Sequence, residues 1–325
     1  MLPFFEVNDL KMYYGTSSGY VKAVDGVNLD IEQGETLGIA GESGCGKSSI
    51  GLSIMRILPR NGRIMGGEIL LDGTDILKLS EDEMRDFRWK KVSVIFQGAM
   101  NALNPVKKVG DQVTEALKIH EDMTKEERNE KAASVFELVG LDSSWMNNYP
   151  HELSGGMKQR VVIAMSLICD PQLIIADEPT TALDVVMQDQ ILYEVNNLQK
   201  KYEIAMIYIS HDISVIAETC DKAAIMYAGK IVESARTEDI FKNPHHPYSI
   251  ALLNSFPSIR GPMKRLTSIG GAPPDLRAPP PGCYFEPRCP FARGVCKKEA
   301  PPTMKIDDGH YSSCHFALDP RIQKY

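Results

Sequence analysis

Four short apolar runs stand out along the first 250 residues: Glu35 to Ala40, Lys91 to Gln97 (with Val92, Val94, Ile95 and Phe96), Leu173 to Ala176, and Ile204 to Ile209. They are β-branched and lack polar alternation, which predicts strands buried on both faces. Helical patterns lie between them. Residues 1–242 therefore predict an α/β domain with a largely parallel core sheet.

The stretch from about 98 to 155 differs. Thr124 with Glu127 three residues on is a capping-box signature, and a long amphipathic pattern follows it. A helical insertion into the α/β core is expected there. Past residue 242 the texture changes again, with prolines at 244, 247, 257, 262, 273, 274 and 279–281. Proline breaks helices and removes strand donors. Residues 243–325 are thus expected to form an irregular extension, held by something other than a large core.

Composition changes this picture little. With 325 residues, 43% hydrophobic and 24% charged, the chain can bury a full-sized core. A net charge of −7 argues against a nucleic-acid partner, which selects a basic stripe. No run of about 18 apolar residues is present, so no membrane span is expected. Met1 to Glu6 lacks the basic and long apolar segments of a signal peptide.

The chemistry begins at Gly41-Glu42-Ser43-Gly44-Cys45-Gly46-Lys47-Ser48, a G-x-x-x-x-G-K-[ST] octet between a predicted strand and a predicted helix. Such a loop turns backbone N–H groups toward phosphate at a positive helix end. Lys47 would neutralise β- and γ-phosphates and the Ser48 hydroxyl would bind Mg²⁺. The apolar run 173–176 leads into Asp177 and Glu178, placed to hold Mg²⁺ and to orient an attacking water. Gln97 and His211 each follow a predicted parallel strand, where ligands bind in open α/β sheets. Leu153-Ser154-Gly155-Gly156-Met157-Lys158-Gln159-Arg160 forms a second anion-facing helix start, with Ser154 as cap. One nucleotide does not need two such ends; a facing subunit's nucleotide would use the second.

These residues resemble the ATP-binding cassette family: an α/β P-loop ATPase core with a helical subdomain insertion. Gly41–Ser48 is similar to Walker A, Leu173–Glu178 to Walker B and Leu153–Arg160 to the signature. Ala182-Leu183-Asp184 is similar to the D-loop, Gln97 to the Q-loop glutamine and His211 to the switch histidine. Tyr14 resembles the aromatic that stacks on adenine, with Tyr13 a rival. The resemblance covers residues 5 to about 240. It implies ATP and Mg²⁺ bound by Ser43, Gly44, Cys45, Gly46, Lys47, Ser48 and Ser49, with Gln97 and Asp177 on the metal. It implies catalysis by Glu178, His211 and Gln97, contact of Ser154, Gly155 and Gly156 with the nucleotide of a second cassette, identical or paralogous, and a nucleotide-binding role for Asp184.

Leu103-Asn104-Pro105, Asn243 to Tyr248, Gly282-Cys283-Tyr284-Phe285 and Arg288-Cys289-Pro290 resemble the peptide and nickel importer group. Gly98-Ala99 departs from the Asp-Pro often found there. That group implies import of dipeptides or oligopeptides, with nickel or glutathione as alternative cargo and a soluble non-transport ATPase as the other reading. It implies two transmembrane permease subunits, an extracytoplasmic substrate-binding protein, and a peripheral place on the cytoplasmic face of the membrane.

Four of the seven cysteines, Cys283, Cys289, Cys296 and Cys314, follow a C-x5-C-x6-C-x17-C spacing. Four thiolates suit an iron–sulfur cluster or structural Zn²⁺. The lack of a tight C-x2–4-C pair, and the importer resemblance, put 4Fe–4S ahead of zinc. Free thiols, two disulfides, and His310 or His315 as substitute ligands remain alternatives. His245-His246 reads as structural.

Overall fold

The computed structural model describes residues 3–98, 102–180, 184–255 and 269–323. Its strands are β1 Phe5–Thr16, β2 Gly19–Ile31, β3 Thr36–Ala40, β4 Gly62–Leu71, β5 Thr74–Asp75, β6 Val92–Ile95, β7 Leu173–Asp177, β8 Ala205–Ser210, β9 Lys222–Tyr227, β10 Lys230–Arg236, β11 Met304–Asp307 and β12 His310–Ser312. The chain divides into two compact units.

The first unit gathers residues 1–31, 36–77 and 209–325. One sheet has the order β2-β1-β4-β5, with every pair antiparallel. Phe5, Val7, Leu10 and Met12 of β1 are fully buried. Alternation breaks between Val7 and Leu10 because the register shifts there and Asp9 takes a φ of 48°. In the other sheet β11, β12, β10, β9 and β3 follow one another, parallel only between β9 and β3. Every residue of β3 is buried, as its unbroken apolar run predicts.

Strands β1, β2, β4, β9 and β10 lie outside the four apolar runs. In β1 and β2 buried positions are interleaved with half-exposed or exposed ones, and in β4 only Ile69 and Leu71 are buried, which dilutes the hydrophobic signal. Strands β11 and β12 add short regular elements to the region past residue 242, where irregular structure is expected. Ser312 and Tyr311 pair with Glu233 and Ser234 and extend the sheet beyond β10. The core that anchors this region is aromatic. Phe285 lies edge-on to Tyr227 (5.3 Å) and Tyr248 (5.4 Å), themselves 4.6 Å apart. Such pairs contribute about 0.5–1.5 kcal/mol each beyond their buried area. Beside them the buried Glu233 carboxylate accepts from the backbone N–H groups of His245 (2.6 Å) and His246 (3.0 Å) and from His310 Nε2 (2.9 Å). His245 Nδ1 donates to Ala317 O at 2.7 Å. These histidines therefore cross-link the extension.

The second unit holds residues 32–35 and 78–208. β6 and β7 run parallel, with Ile95 opposite Ala176, and β8 lies beside β7. Helices span Glu81–Phe87, Val109–Val113, Glu115–His120, Lys125–Leu138, Gly155–Leu167 and Val185–Tyr202. The capping box at Thr124 forms: Glu127 N donates to Thr124 Oγ1 (3.2 Å) and Thr124 N to Glu127 Oε2 (2.7 Å). Arg160, 6% exposed, binds the Glu194 carboxylate through both terminal nitrogens and donates to Val139 O at 2.5 Å. One guanidinium thus ties three helices of this unit together. Among the described residues no helix is long and apolar enough to cross a membrane.

Candidate functional site

In the first unit, the chain leaves β3 at Gly41 and re-enters regular structure at helix Lys47–Ile54. The loop between them fits only glycine at two points. A Cβ on Gly41 would lie 2.1 Å from Met226 O, and one on Gly46 2.0 Å from Ala23 O. Gly46 caps the helix in a left-handed conformation (φ 112°) with no side-chain cap, which leaves the first-turn N–H groups for a ligand. Lys47 is 7% exposed, and its Nζ donates to Gly41 O (2.7 Å) and Glu42 O (3.1 Å), arching back over the loop. Ser43, Gly44 and Ser48 are exposed. Cys45 is buried, 3.8 Å from Lys47 Nζ, and burial pushes its thiol up. The donor set is what a polyphosphate requires: backbone amides, one ammonium and two hydroxyls.

The rival tyrosines separate by their partners. The Tyr14 hydroxyl hydrogen-bonds Ser49 Oγ at 3.0 Å, next to the phosphate loop's helix start. The Tyr13 hydroxyl donates instead to Asp25 at 2.7 Å. Within the same unit His211 follows β8 and is exposed.

In the second unit the strand register brings two predicted residues together. Gln97 and Glu178 each lie two positions past the paired Ile95 and Ala176, and Gln97 Nε2 donates to Glu178 Oε2 at 2.6 Å. Glu178 takes a left-handed φ of 49°, a conformation that costs a non-glycine residue about 1–3 kcal/mol and clusters at functional sites. Asp177 ends β7. Ser154 caps helix Gly155–Leu167, accepting from Met157 N at 3.3 Å, and Gln159 of that helix donates to Pro179 O, one residue past Glu178. Gly156 leaves room for Met187, whose Cε would lie 2.3 Å from a Cβ there. Asp184 caps helix Val185–Tyr202 by accepting from Met187 N at 3.0 Å. Ala182 and Leu183 of the D-loop, and Ala99 and Met100 after Gly98, lie outside the described residues.

The four clustered cysteines all line one cavity of about 20 Å³, with His246, Phe285 and His315 among its other walls. All four are free thiols. Burial pushes Cys289 up to about 12 and Cys314 to about 11, and raises Cys283. Their thiol chemistry is that of ligands to a soft metal, and all four face the same cavity. As they stand, no three His, Cys, Asp or Glu side chains among the described residues form a metal-holding set. His315 Nε2 lies 3.0 Å from Glu299 O.

Sequence reasoning placed Glu42, Tyr248 and Arg288 in motifs but gave them no role at the site. Glu42 occupies a variable position of the octet, and only the fold shows that Arg288 reaches it: both Arg288 terminal nitrogens lie 2.7 Å from its carboxylate oxygens.

A glycine loop that cradles anions ahead of a helix, a carboxylate pair at a parallel strand end and a serine-capped glycine helix, together on one chain, define an ATP-binding cassette ATPase. Residues 24–181 match the ABC transporter family and residues 232–296 the C-terminal region of oligopeptide/dipeptide transporters. The chain is 47% identical over 313 residues to a probable peptide ABC transporter ATP-binding protein of Sinorhizobium fredii, covering 95% of this chain and 93% of that one. It is 47% identical over 310 residues to the oligopeptide transport ATP-binding protein OppD of Bacillus subtilis (94% and 87% covered). It is 41% identical over 320 residues to the dipeptide transport ATP-binding protein DppD of Escherichia coli (98% of both). Among solved structures, a dimeric post-hydrolysis state of an ATP-binding cassette bound to ADP and Pi superposes with a TM-score of 0.65 at 27% identity, covering 72% of this chain and 98% of that one. The chain belongs to the family of peptide ABC transporter ATP-binding proteins.

Proposed function

We propose that this chain is the ATP-hydrolysing subunit that powers import of dipeptides or oligopeptides, working at the cytoplasmic face of the cell membrane. One observation carries the reading. The phosphate loop and the Gln97–Glu178 pair share a chain with a 232–296 segment that matches oligopeptide/dipeptide transporters. The relatives' names favour peptides over nickel or glutathione, and transport over a soluble ATPase.

In this reading residues 1–242 are the nucleotide-binding domain, about 98–155 its helical part and 243–325 the extension. Tyr14 stacks on adenine, and Ser43 to Ser49 hold the triphosphate. Lys47 exchanges its carbonyl partners for β- and γ-phosphate oxygens. Ser48, and from the other unit Gln97 and Asp177, are the groups that would ligate Mg²⁺, which when bound would neutralise phosphate charge. Glu178 orients the attacking water, and His211 contacts the γ-phosphate. Ser154, Gly155 and Gly156 serve the nucleotide of a second cassette, identical or paralogous, and Asp184 takes part in nucleotide binding. Two permease subunits and an extracytoplasmic substrate-binding protein complete the importer. Cys283, Cys289, Cys296 and Cys314 would hold a 4Fe–4S cluster, with Zn²⁺ the alternative; the cavity they share supports this.

The test is uptake of a radiolabelled tripeptide by proteoliposomes carrying this chain, its permeases and the binding protein, with ATP on the cassette side. Uptake with peptide-stimulated ATP hydrolysis is expected. Stimulation by nickel or glutathione alone would reassign the cargo. Hydrolysis indifferent to membrane subunits would remove the motor role.

A further inference from the structure

Arg288 lies in the short 3-10 turn Glu286–Arg288, between Cys283 and Cys289 of the extension. Its side chain is 3% exposed. A guanidinium has five N–H donors, and here each has an acceptor. Nε donates to Gly270 O (2.9 Å). Nη1 donates to Glu42 Oε2 (2.7 Å) and the Tyr227 hydroxyl (3.2 Å), and Nη2 to Glu42 Oε1 (2.7 Å) and Ile269 O (3.2 Å). The group also lies over the Tyr227 ring, 5.5 Å from its centroid. A side chain this fully engaged has one available position.

What it grips is the second residue of the phosphate loop. Glu42 is held from a second side, because its backbone N–H donates to the Tyr248 hydroxyl at 2.9 Å. Tyr248 belongs to helix Pro247–Asn254, also in the extension. Between these grips, Glu42 O accepts from Cys45 N (3.3 Å) and Lys47 Nζ (3.1 Å). Two groups of the extension thus fix the residue whose carbonyl accepts from the loop's lysine. A bidentate Arg–carboxylate pair sets orientation as well as distance, and the phosphate-binding amides follow Glu42 directly.

We propose that Arg288 is a positioning residue for nucleotide binding: through Glu42 it holds the phosphate loop open in a ligand-ready geometry. The extension is then a part of the nucleotide site, supplied from more than 240 residues further along the chain. The proposal rests on the ATPase reading above.

The experiment measures MgATP affinity and steady-state ATP hydrolysis of the full chain for the parent, Arg288→Ala, Arg288→Lys, Glu42→Gln, Arg288→Ala with Glu42→Gln, and the exchanged pair Glu42→Arg with Arg288→Glu. Arg288→Ala is expected to weaken MgATP binding and raise KM about five- to thirtyfold, with kcat changed far less. Glu42→Gln should behave alike, the double variant should be no worse than either single one, and Arg288→Lys should lie between. The exchanged pair should recover part of the loss. A merely structural role would lower the active fraction, and with it kcat, and leave KM unmoved; that outcome overturns the proposal. So does additive loss in the double variant, or an Arg288→Ala protein that binds MgATP like the parent. A parent that binds no MgATP would instead bring down the ATPase reading itself.

Discussion

The Gln97 amide donates to the Glu178 carboxylate at 2.6 Å, across the ends of two adjacent parallel strands. The contact is a consequence of register. Ile95 faces Ala176, so the residues two positions past this pair, Gln97 and Glu178, emerge on the same edge. A shift of one residue would turn every side chain of β6 to the opposite face and separate the pair.

Because Glu178 is the carboxylate so held, Glu178→Gln should keep the fold and lose turnover. Hydrolysis is expected to fall about a hundredfold or more, the range for removing a positioned acid–base group. ATP affinity should persist, so the variant should elute as an ATP-stabilised dimer in size-exclusion chromatography. Turnover at the parent rate would remove Glu178 from its assigned role.

Two glycines of the phosphate loop should respond differently to alanine. At Gly46 the added Cβ meets backbone oxygen at 2.0 Å, which no rotamer relieves, so Gly46→Ala should abolish nucleotide binding. At Gly44 the φ of 78° is strained for alanine, yet nothing lies within 4 Å. Gly44→Ala should therefore cost about 1–2 kcal/mol in urea unfolding and leave a folded protein. Equal collapse of both would show that φ alone, and not the cradle, governs the loop.

Much of this was legible along the chain, for identifiable reasons. The buried runs of β3, β6, β7 and β8 carry no alternation, and the motif residues stand directly at their ends. The Thr124 capping box reads from four consecutive residues. The β1–β2–β4 sheet was missed because its half-exposed strands interleave polar positions and a bulge at Asp9 interrupts the period. The short elements of the extension leave little signal among its prolines, because its order comes from Phe285, Glu233 and the histidines around it. The Arg288–Glu42 pair, 246 positions apart, leaves no local signal at all.

The Arg160 junction gives a prediction of stability. Removing the guanidinium leaves Val139 O and the Glu194 carboxylate without a buried donor. Arg160→Ala should cost about 2–3 kcal/mol in urea unfolding, since Val139 O loses a buried donor while the half-buried Glu194 keeps access to solvent. Thr124→Ala, which removes only an exposed cap, should cost about 1 kcal/mol. Equal losses would place the junction's energy elsewhere.

The cysteine cavity gives the last prediction. Four free thiols from three separate stretches of chain meet at one small cavity. Backbone contacts hold two of the stretches together: Cys283 N donates to Cys296 O at 2.7 Å, and a Cβ on Gly282 would lie 2.2 Å from that same oxygen. The convergence is therefore built into the main chain rather than left to side-chain choice. Protein purified without oxygen should carry about four irons per chain with matching sulfide and a visible absorption band. Cys289→Ser should lose all three signals. One zinc per chain would make the site a structural metal clip. No metal in either protein would assign the thiols to packing and end the cluster proposal, while the nucleotide site, whose residues lie outside this cavity, would stand.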